Sequence, residues 1–304
     1  MIDFTDAPVT NKAYGGANGG KISIRYQGDR YMLKFPSLAK FNREMSYSNS
    51  CVSEYIGCHI FQLIGIPAQS TLLGVYKTGR KEKVVVACKD FTGGEWVLQD
   101  FASLKNTIVD TERNGYGTDL DEIIDTINSQ SMVDSSELTR WFWDMFIVDA
   151  LIGNWDRHNG NWGFLYNQGT DEIKLAPIYD CGSSLFPQAD EELIRTILSD
   201  KNEMLARIYE KPTSAIEENG HRLNYYEFIS SGRCMDCNEA LKRIVPRIHL
   251  NDIFRMIDAI PLLDDIQKEF YKTMVISRKE MILDASLERV KDKKERRDGF
   301  PLKS

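Results

Sequence analysis

The sequence predicts an α+β fold in two lobes, a small β-rich N-lobe at 1–91 and a larger, mainly helical C-lobe at 92–304. Three observations predict it. Strand-like alternation is confined to two pairs of segments in the first ninety residues. A single amphipathic helix separates those pairs. From about residue 119 onward helical periodicity dominates, with only short strand-like interruptions.

Taken in order, "AYGGANGGK" (13–21) places four glycines in the six residues 15–20, and "KISIRY" (21–26) and "RYMLKF" (30–35) alternate around the turn residues "QGD". Pro36 ends the second strand. Residues 47–65 read as a helix, because Val52, Tyr55, Ile56, His59, Ile60, Leu63 and Ile64 recur at i, i+3, i+4 spacing and Gly65 and Pro67 stop it. Strands follow at 70–76 and 83–91, joined by the polar turn "KTGRKE", and "GGEW" (93–96) reads as a break. Helices are expected at 119–129 and 136–153, the second apolar nearly all round and therefore buried. Short strands are expected at 162–166 and 173–175, and helices at 190–208, 237–247, 250–260 and 265–290. The tail 291–299 mixes charges and reads as a solvated helix end.

The bulk composition removes several function classes. A net charge of −7 argues against a general binder of nucleic acid or anionic membranes. No apolar run approaches the length of a transmembrane helix, and "MIDFTDAPVTNK" lacks the basic and apolar regions of a secretory signal. Six cysteines (51, 58, 88, 181, 234, 237) are too few for a disulfide framework in 304 residues, so reduced thiols and a cytoplasmic location are expected, with export without a standard signal left open. The "CMDC" pair at 234–237 has no second half-site for zinc.

The polar signals stand out against this background. The glycine run can be a loop, or a backbone cradle for phosphate; it is neither a P-loop nor a clean dinucleotide fingerprint, and a strand follows it. Lys34 shares a strand face with Met32, so it points inward and needs an anion, or else it snorkels from an edge. Glu54 on the following helix is the candidate partner and Glu44 the competitor. "NWDRHNGNW" (154–162) follows the buried helix. Asp156 and Asn161, five residues apart, can be aimed at one point by a tight loop. There an aspartate can accept a hydroxyl proton and an amide oxygen can bind Mg²⁺, while an Asx-rich turn is the competing structural explanation. Asp180 follows 24 positions after Asp156, in "PIYDCGSSL", placed to hold a metal or simply to make a turn. Asn154, Arg157 and His158 read as loop supports and Asn159 as a solvent-facing turn residue. Glycine loop, strand lysine, helix glutamate, Asp-x4-Asn loop and Asp-x-Gly form, in that order, the parts of a protein-kinase-like phosphotransferase.

At these residues the sequence resembles the HipA family of bacterial serine/threonine kinases, and within it the compact cell-translocating kinase (CtkA) branch. "AYGGANGGKISI", "RYMLKFP", "SEYIGCHIF", "NWDRHNGNW" and "PIYDCGSSL" carry the resemblance, over about residues 13–186. It implies a two-lobed kinase fold, ATP and Mg²⁺ as cofactors, and phosphorylation of Ser or Thr on a protein substrate and on the kinase itself. It assigns Lys34 to the ATP phosphates, Glu54 to holding Lys34, Asp156 to the catalytic base, and Asn161 and Asp180 to the metal. His158 matches a loop-orienting histidine. Gly15, Gly16, Ala17, Asn18 and Gly19 would lie over the phosphates. Adenine is expected against main-chain groups of "VACKD" (86–90), including Ala87 and Lys89.

The chain departs from the family in two places. The glycine loop begins near residue 13, so the N-terminal subdomain of the longer toxins is expected to be absent, or replaced by a small antitoxin-like companion protein. "KAYGGANGG" contains no Ser or Thr for self-inhibitory phosphorylation, which leaves Ser23, Ser183 and Ser184 as candidate acceptors. The same "DRHxxN" also resembles the catalytic loop of phosphatidylinositol kinases, and a nucleotide-binding scaffold without transfer activity is the non-enzymatic alternative.

Overall fold

The computed structural model describes residues 1–14, 20–36, 48–108 and 113–298. The first part is a six-stranded sheet of β1 (Ile2–Asp3), β2 (Val9–Thr10), β3 (Lys21–Tyr26), β4 (Asp29–Lys34), β5 (Thr71–Thr78) and β6 (Lys81–Lys89), in the order β1-β5-β6-β4-β3-β2. Only the β1–β5 pair is parallel. The β3–β4 turn uses positive φ at both Gln27 (49°) and Gly28 (89°), the twist that a two-residue hairpin needs. The segment 77–82, read from sequence as a turn, is mostly strand. Lys77 pairs with Glu82 and Thr78 with Lys81, which leaves only Gly79 and Arg80 to turn. Alternation of side chains separates two packing faces. Phe4, Ile24, Tyr31, Leu33, Val85 and Ala87 form a core on one face. Val86, Cys88 and the half-buried Met32 pack on the other against Cys51 of helix α1 (Ser50–Leu63).

The chain then enters a region of helices and two small sheets. β7 (Trp96–Asp100) starts inside the expected break and pairs with β8 (Gly163–Asn167), which also pairs with β9 (Ile173–Leu175). The helices are α2 (Phe101–Ile108), α3 (Leu120–Ser129), α4 (Ser135–Ile152), α5 (Glu191–Ser199) and α6 (Lys201–Tyr209). They continue with α7 (Tyr225–Ser231), α8 (Met235–Ile244), α9 (Leu250–Asp258), α10 (Asp265–Arg278) and α11 (Ala285–Asp298). The expected helix at 190–208 is two helices, because Asp200 takes an extended conformation and accepts the N–H groups of Asn202 and Glu203 as an N-cap. The expected helix at 265–290 is interrupted by a π-helical turn at Lys279–Asp284. A hairpin of β10 (Thr213–Glu218) and β11 (His221–Asn224) turns at Asn219-Gly220, both with positive φ. Sequence reasoning passed over it, although Asn-Gly is its signal.

α4 is the axis of this region. Asp134 caps its start by accepting the Glu137 N–H, and Gly153, with φ 59°, ends it in the left-handed conformation. Its side chains from Phe142 to Ile152 are all buried. Each large apolar one contributes roughly 1.5–3 kcal/mol of burial energy. No described helix is long and apolar enough to cross a membrane.

Candidate active site

Lys34 is the last residue of β4, and alternation aims it at α1. Its Nζ lies 3.2 Å from Glu54 Oε1 and 3.1 Å from Asp180 Oδ1. Glu54 is buried on α1, and two glycines let the pieces approach. A Cβ on Gly57 would stand 2.7 Å from Cys181 Cβ, and one on Gly182 would stand 3.2 Å from Glu54 Oε2. The α1 helix therefore packs directly on the loop that carries Asp180. Burial alone would pull the Lys34 pKa down, but Asp180 and Glu54 more than offset it and hold it well above the usual lysine range. Lys34 in turn holds Asp180 below the usual carboxylate range. Burial pushes Glu54 up, and Lys34 counters only part of that.

Asp156 and Asn161 come from the loop that leaves α4. The loop is tied to itself at almost every residue. The Asp156 N–H donates to Asn154 Oδ1 at 3.1 Å, and its carbonyl accepts from the His158 N–H at 2.8 Å and from Asn161 Nδ2 at 2.8 Å. His158 Nδ1 accepts the Gly160 N–H at 3.0 Å. With its nitrogen spent on the loop, the Asn161 amide keeps its oxygen for another partner. Burial raises the Asp156 pKa, as does the Asp180 charge, against the opposing pull of His158, Arg222 and Arg157. A half-buried carboxylate made more basic suits proton acceptance.

Beneath the loop lies a buried ion pair. Arg157 donates through Nε to Asp149 Oδ2 at 2.9 Å and through Nη2 to Asp149 Oδ1 at 3.1 Å. Arg157 Nη1 donates to the carbonyls of Asn161 (3.0 Å), Tyr179 and Asp180 (3.4 Å), and Nη2 reaches Cys181 Sγ at 3.3 Å. One guanidinium thus joins α4, the Asp156–Asn161 loop and the Asp180 loop. Asn154 Nδ2 donates to Asp149 Oδ1 at 3.0 Å, and Tyr225 Oη donates to the Asn154 carbonyl at 2.6 Å. Asp180 itself has φ 56°, a turn conformation that aspartate tolerates and that turns its carboxylate back toward Lys34.

Lys34, Glu54 and Asp180 thus meet in one ion network, and the Asp156 carboxylate lies close enough to feel Asp180. Gly15, Gly16, Ala17, Asn18, Gly19 and the competitor Glu44 lie outside the described residues. Ala87 and Lys89, expected to offer main-chain groups to adenine, lie in β6 with their side chains turned away from Lys34. The register pairs Lys34 with Val86, so Val86 and Cys88 share the face of Lys34, while Ala87 and Lys89 take the opposite one. Ala87 is in the core with Leu33. The Lys89 N–H donates to the Ser70 carbonyl, its own carbonyl accepts from Gln69 Nε2, and its ammonium is 2.7 Å from Asp29. These groups are already engaged away from Lys34. Asn159 is also not a solvent-facing residue. It is fully buried and donates to the carbonyls of Gly115 and Gly117 at 3.0 and 2.7 Å. Ser23 and Ser184 are buried and bonded to Thr10 and to the Cys181 carbonyl, which leaves neither hydroxyl open as an acceptor.

Two charged groups at this site escaped the sequence reading. Asp149 is an acid inside the apolar "FIVDALIG", and that mismatch was the available signal for a buried partner. Lys21 lies directly opposite Lys34 across β3 and β4, on the same face. Burial lowers its pKa, and so does the neighbouring Lys34 charge, while Asp180 pulls the other way. Two cations side by side above a carboxylate make a place for a polyanion. No group of three or more His, Cys, Asp or Glu side chains among the described residues could hold a metal alone. Asn161 and Asp180 carry oxygen donors of the kind Mg²⁺ takes in sites completed by phosphates and water.

A family model described as the HipA-like C-terminal domain matches residues 13–246. The serine/threonine-protein kinase CtkA of Helicobacter pylori is 46% identical over 287 residues, covering 94% of this chain and 87% of that protein. The crystal structure of a proinflammatory kinase CtkA from Helicobacter pylori matches with a TM-score of 0.89 at 44% identity, over 96% of this chain and 99% of that one. The HipA of Shewanella oneidensis, solved with HipB and operator DNA, matches with a TM-score of 0.55 at 16% identity, over 94% of this chain and 67% of that one, and shows a shared fold.

Proposed function

The chain belongs to the HipA-like C-terminal domain family, and from that premise we propose that it is an ATP- and Mg²⁺-dependent protein serine/threonine kinase that also phosphorylates itself. The observation that carries the reading is the position of Lys34, within 3.2 Å of carboxylates from two separate parts of the fold. A lysine so placed is fixed in position and charged, ready for phosphate oxygens. Lys21 adds a second cation on the same face. Asn161 and Asp180 would hold Mg²⁺, which supplies charge neutralisation at the phosphates. Asp156 orients the acceptor hydroxyl and takes its proton, and its raised pKa makes it a better acceptor than an exposed aspartate. His158 and Arg157 hold the loop and take no part in bond making.

In this reading the sheet and α1 form the ATP-covering lobe at 1–91, and 92–304 carries the base, the metal ligands and the substrate side. All six cysteines are free, which accords with a reducing compartment such as the cytoplasm. The test is transfer of labelled phosphate from ATP with Mg²⁺, wild type against Asp156→Asn. The expected result is labelling of protein Ser or Thr, and of the kinase, by the wild type alone. Labelling of phosphoinositides and no protein would replace this reading with a lipid kinase, and absence of all transfer would leave a nucleotide-binding scaffold.

A further inference from the structure

Next to Asp156 stands a wall that the phosphotransfer machinery does not use. Segment 113–119 is held against the loop by Asn159, which donates to the Gly115 and Gly117 carbonyls, and against β10 by the Glu217 N–H, which donates to the Thr118 carbonyl at 2.8 Å. β11 is fixed from the other side, because Tyr225, just beyond it, donates to the Asn154 carbonyl at 2.6 Å. The β10–β11 hairpin and this segment therefore share one rigid base with Asp156.

Three side chains give the wall its chemistry. The Tyr116 ring is 53% exposed and sits edge-on to His158, with ring centroids 6.2 Å apart. An exposed aromatic at the rim of a catalytic loop offers apolar area to a passing chain. Arg113 is 3.7 Å from Glu217, so Glu217 already has a cation. Arg222 lies directly across the hairpin from Glu217 and is exposed. Among the described residues Arg222 has no carboxylate oxygen within 4.0 Å, and its charge acts on Asp156. A cation with no ion-pair partner, on a hairpin tied to the Asp156 loop through Thr118 and through Asn154, is complementary to an anion that arrives with the substrate.

Resting on the kinase reading above, we propose that this wall docks the acceptor segment of the protein substrate, and that Arg222 selects an acidic residue flanking the acceptor Ser or Thr. Tyr116 supplies sequence-tolerant contact to the peptide, and Arg222 supplies the preference.

The test is a positional peptide library with one Ser or Thr and with Asp, Glu, Lys or a neutral residue at each flanking position, phosphorylated with ATP and Mg²⁺. Wild type, Arg222→Gln and Arg222→Glu are compared, after thermal melts establish that these exposed-site variants fold. Acidic flanks are expected to lower the wild-type KM. Arg222→Gln should erase the preference. Arg222→Glu should reverse it by about tenfold with KM for ATP unchanged. A wild type that ignores flanking acids, or variants that lose kcat equally on every peptide, overturns the inference while the kinase reading stands. Failure of the wild type to label any peptide or protein in an Asp156-dependent way instead overturns the kinase reading, and this inference with it.

Discussion

Arg157→Met isolates the part of the site that links loops without touching the chemistry. Arg157 is 2% exposed and Asp149 1%, and two hydrogen bonds of 2.9 and 3.1 Å join them. Methionine leaves the Asp149 carboxylate buried with only the Asn154 amide, 3.0 Å away, as a side-chain donor. Breaking a buried pair in this way costs about 3–5 kcal/mol. Against a typical stability of roughly 5–15 kcal/mol that is a large share, and at roughly 2–4 °C per kcal/mol for a large domain the melting temperature should fall on the order of 10 °C. The double variant Asp149→Leu with Arg157→Met replaces the pair by apolar groups, which is often neutral for stability. Most of the lost stability should return, short by about 1 kcal/mol because the Asn154 amide loses its acceptor. Activity should not return. Both variants lack the guanidinium bonds to the Asn161, Tyr179 and Asp180 carbonyls, and a loop misplaced by about 1 Å can cost about 10²-fold in rate. Calorimetry and initial phosphotransfer rates read the two effects separately. Full activity in the thermally restored double variant would refute the claim that Arg157 sets the spacing of the Asp156–Asn161 and Asp180 loops.

Three further outcomes follow from the site. Burial raises the Asp156 pKa, so the rate should begin to fall on the acid side at a higher pH than for an ordinary carboxylate. Stability runs the other way, because the fold favours the protonated form: its contribution is full below the ordinary carboxylate range and declines as pH rises through the folded value. Asp156→Asn should therefore abolish transfer with no loss of melting temperature at neutral pH, and a clear loss would make the carboxylate structural. Lys34→Met should lower kcat/KM by about 10²–10³-fold, since Glu54 and Asp180 lose their shared cation; a drop of only a few-fold would remove Lys34 from the transition state. Lys21→Met should raise KM for ATP about tenfold, the loss of one charge-assisted contact, with a smaller change in kcat. An unchanged KM would separate Lys21 from the phosphates.

What could be read from sequence was what depends on local order along the chain. The strand alternation around Lys34 and the helical spacing around Glu54 each lie within one element, and so does the Asp-x4-Asn spacing of the loop. Residues whose partners are distant in sequence were harder. Asp149 gains its meaning only from Arg157, eight residues on, and Lys21 only from the hairpin register that sets it opposite Lys34. Ala87 and Lys89 show what one strand's pattern leaves open. Their segment was correctly read as strand, but the face they occupy depends on a one-residue register across β4, which alternation within a single strand does not reveal. Asn159 looked like a turn residue because Asn-Gly marks turns, and only tertiary contact with Gly115 and Gly117 makes it a buried anchor.

The two buried arginines explain why the loop can be both polar and rigid. The C-terminal end of α4 carries unpaired carbonyls and partial negative charge. Arg278, 1% exposed, donates to the Ala150 carbonyl at 2.8 Å and to the carbonyls of Arg207, Ile208 and Lys211 at the end of α6, at 2.8, 3.4 and 3.3 Å. It has no carboxylate among these partners, and burial lowers its pKa to about 10. Helix ends therefore serve as its counter-charge. Gly153 makes this approach feasible, since a Cβ there would lie 3.4 Å from Arg278 Cζ and 3.1 Å from Pro212 Cδ, at a φ that favours glycine. One arginine grips the helix before the turn, and Arg157 grips the loop after it. The chain between them, Gly153 to Asp156, has little freedom left, so the position of the Asp156 carboxylate is set by buried charge on both sides of the turn and not by the loop residues alone.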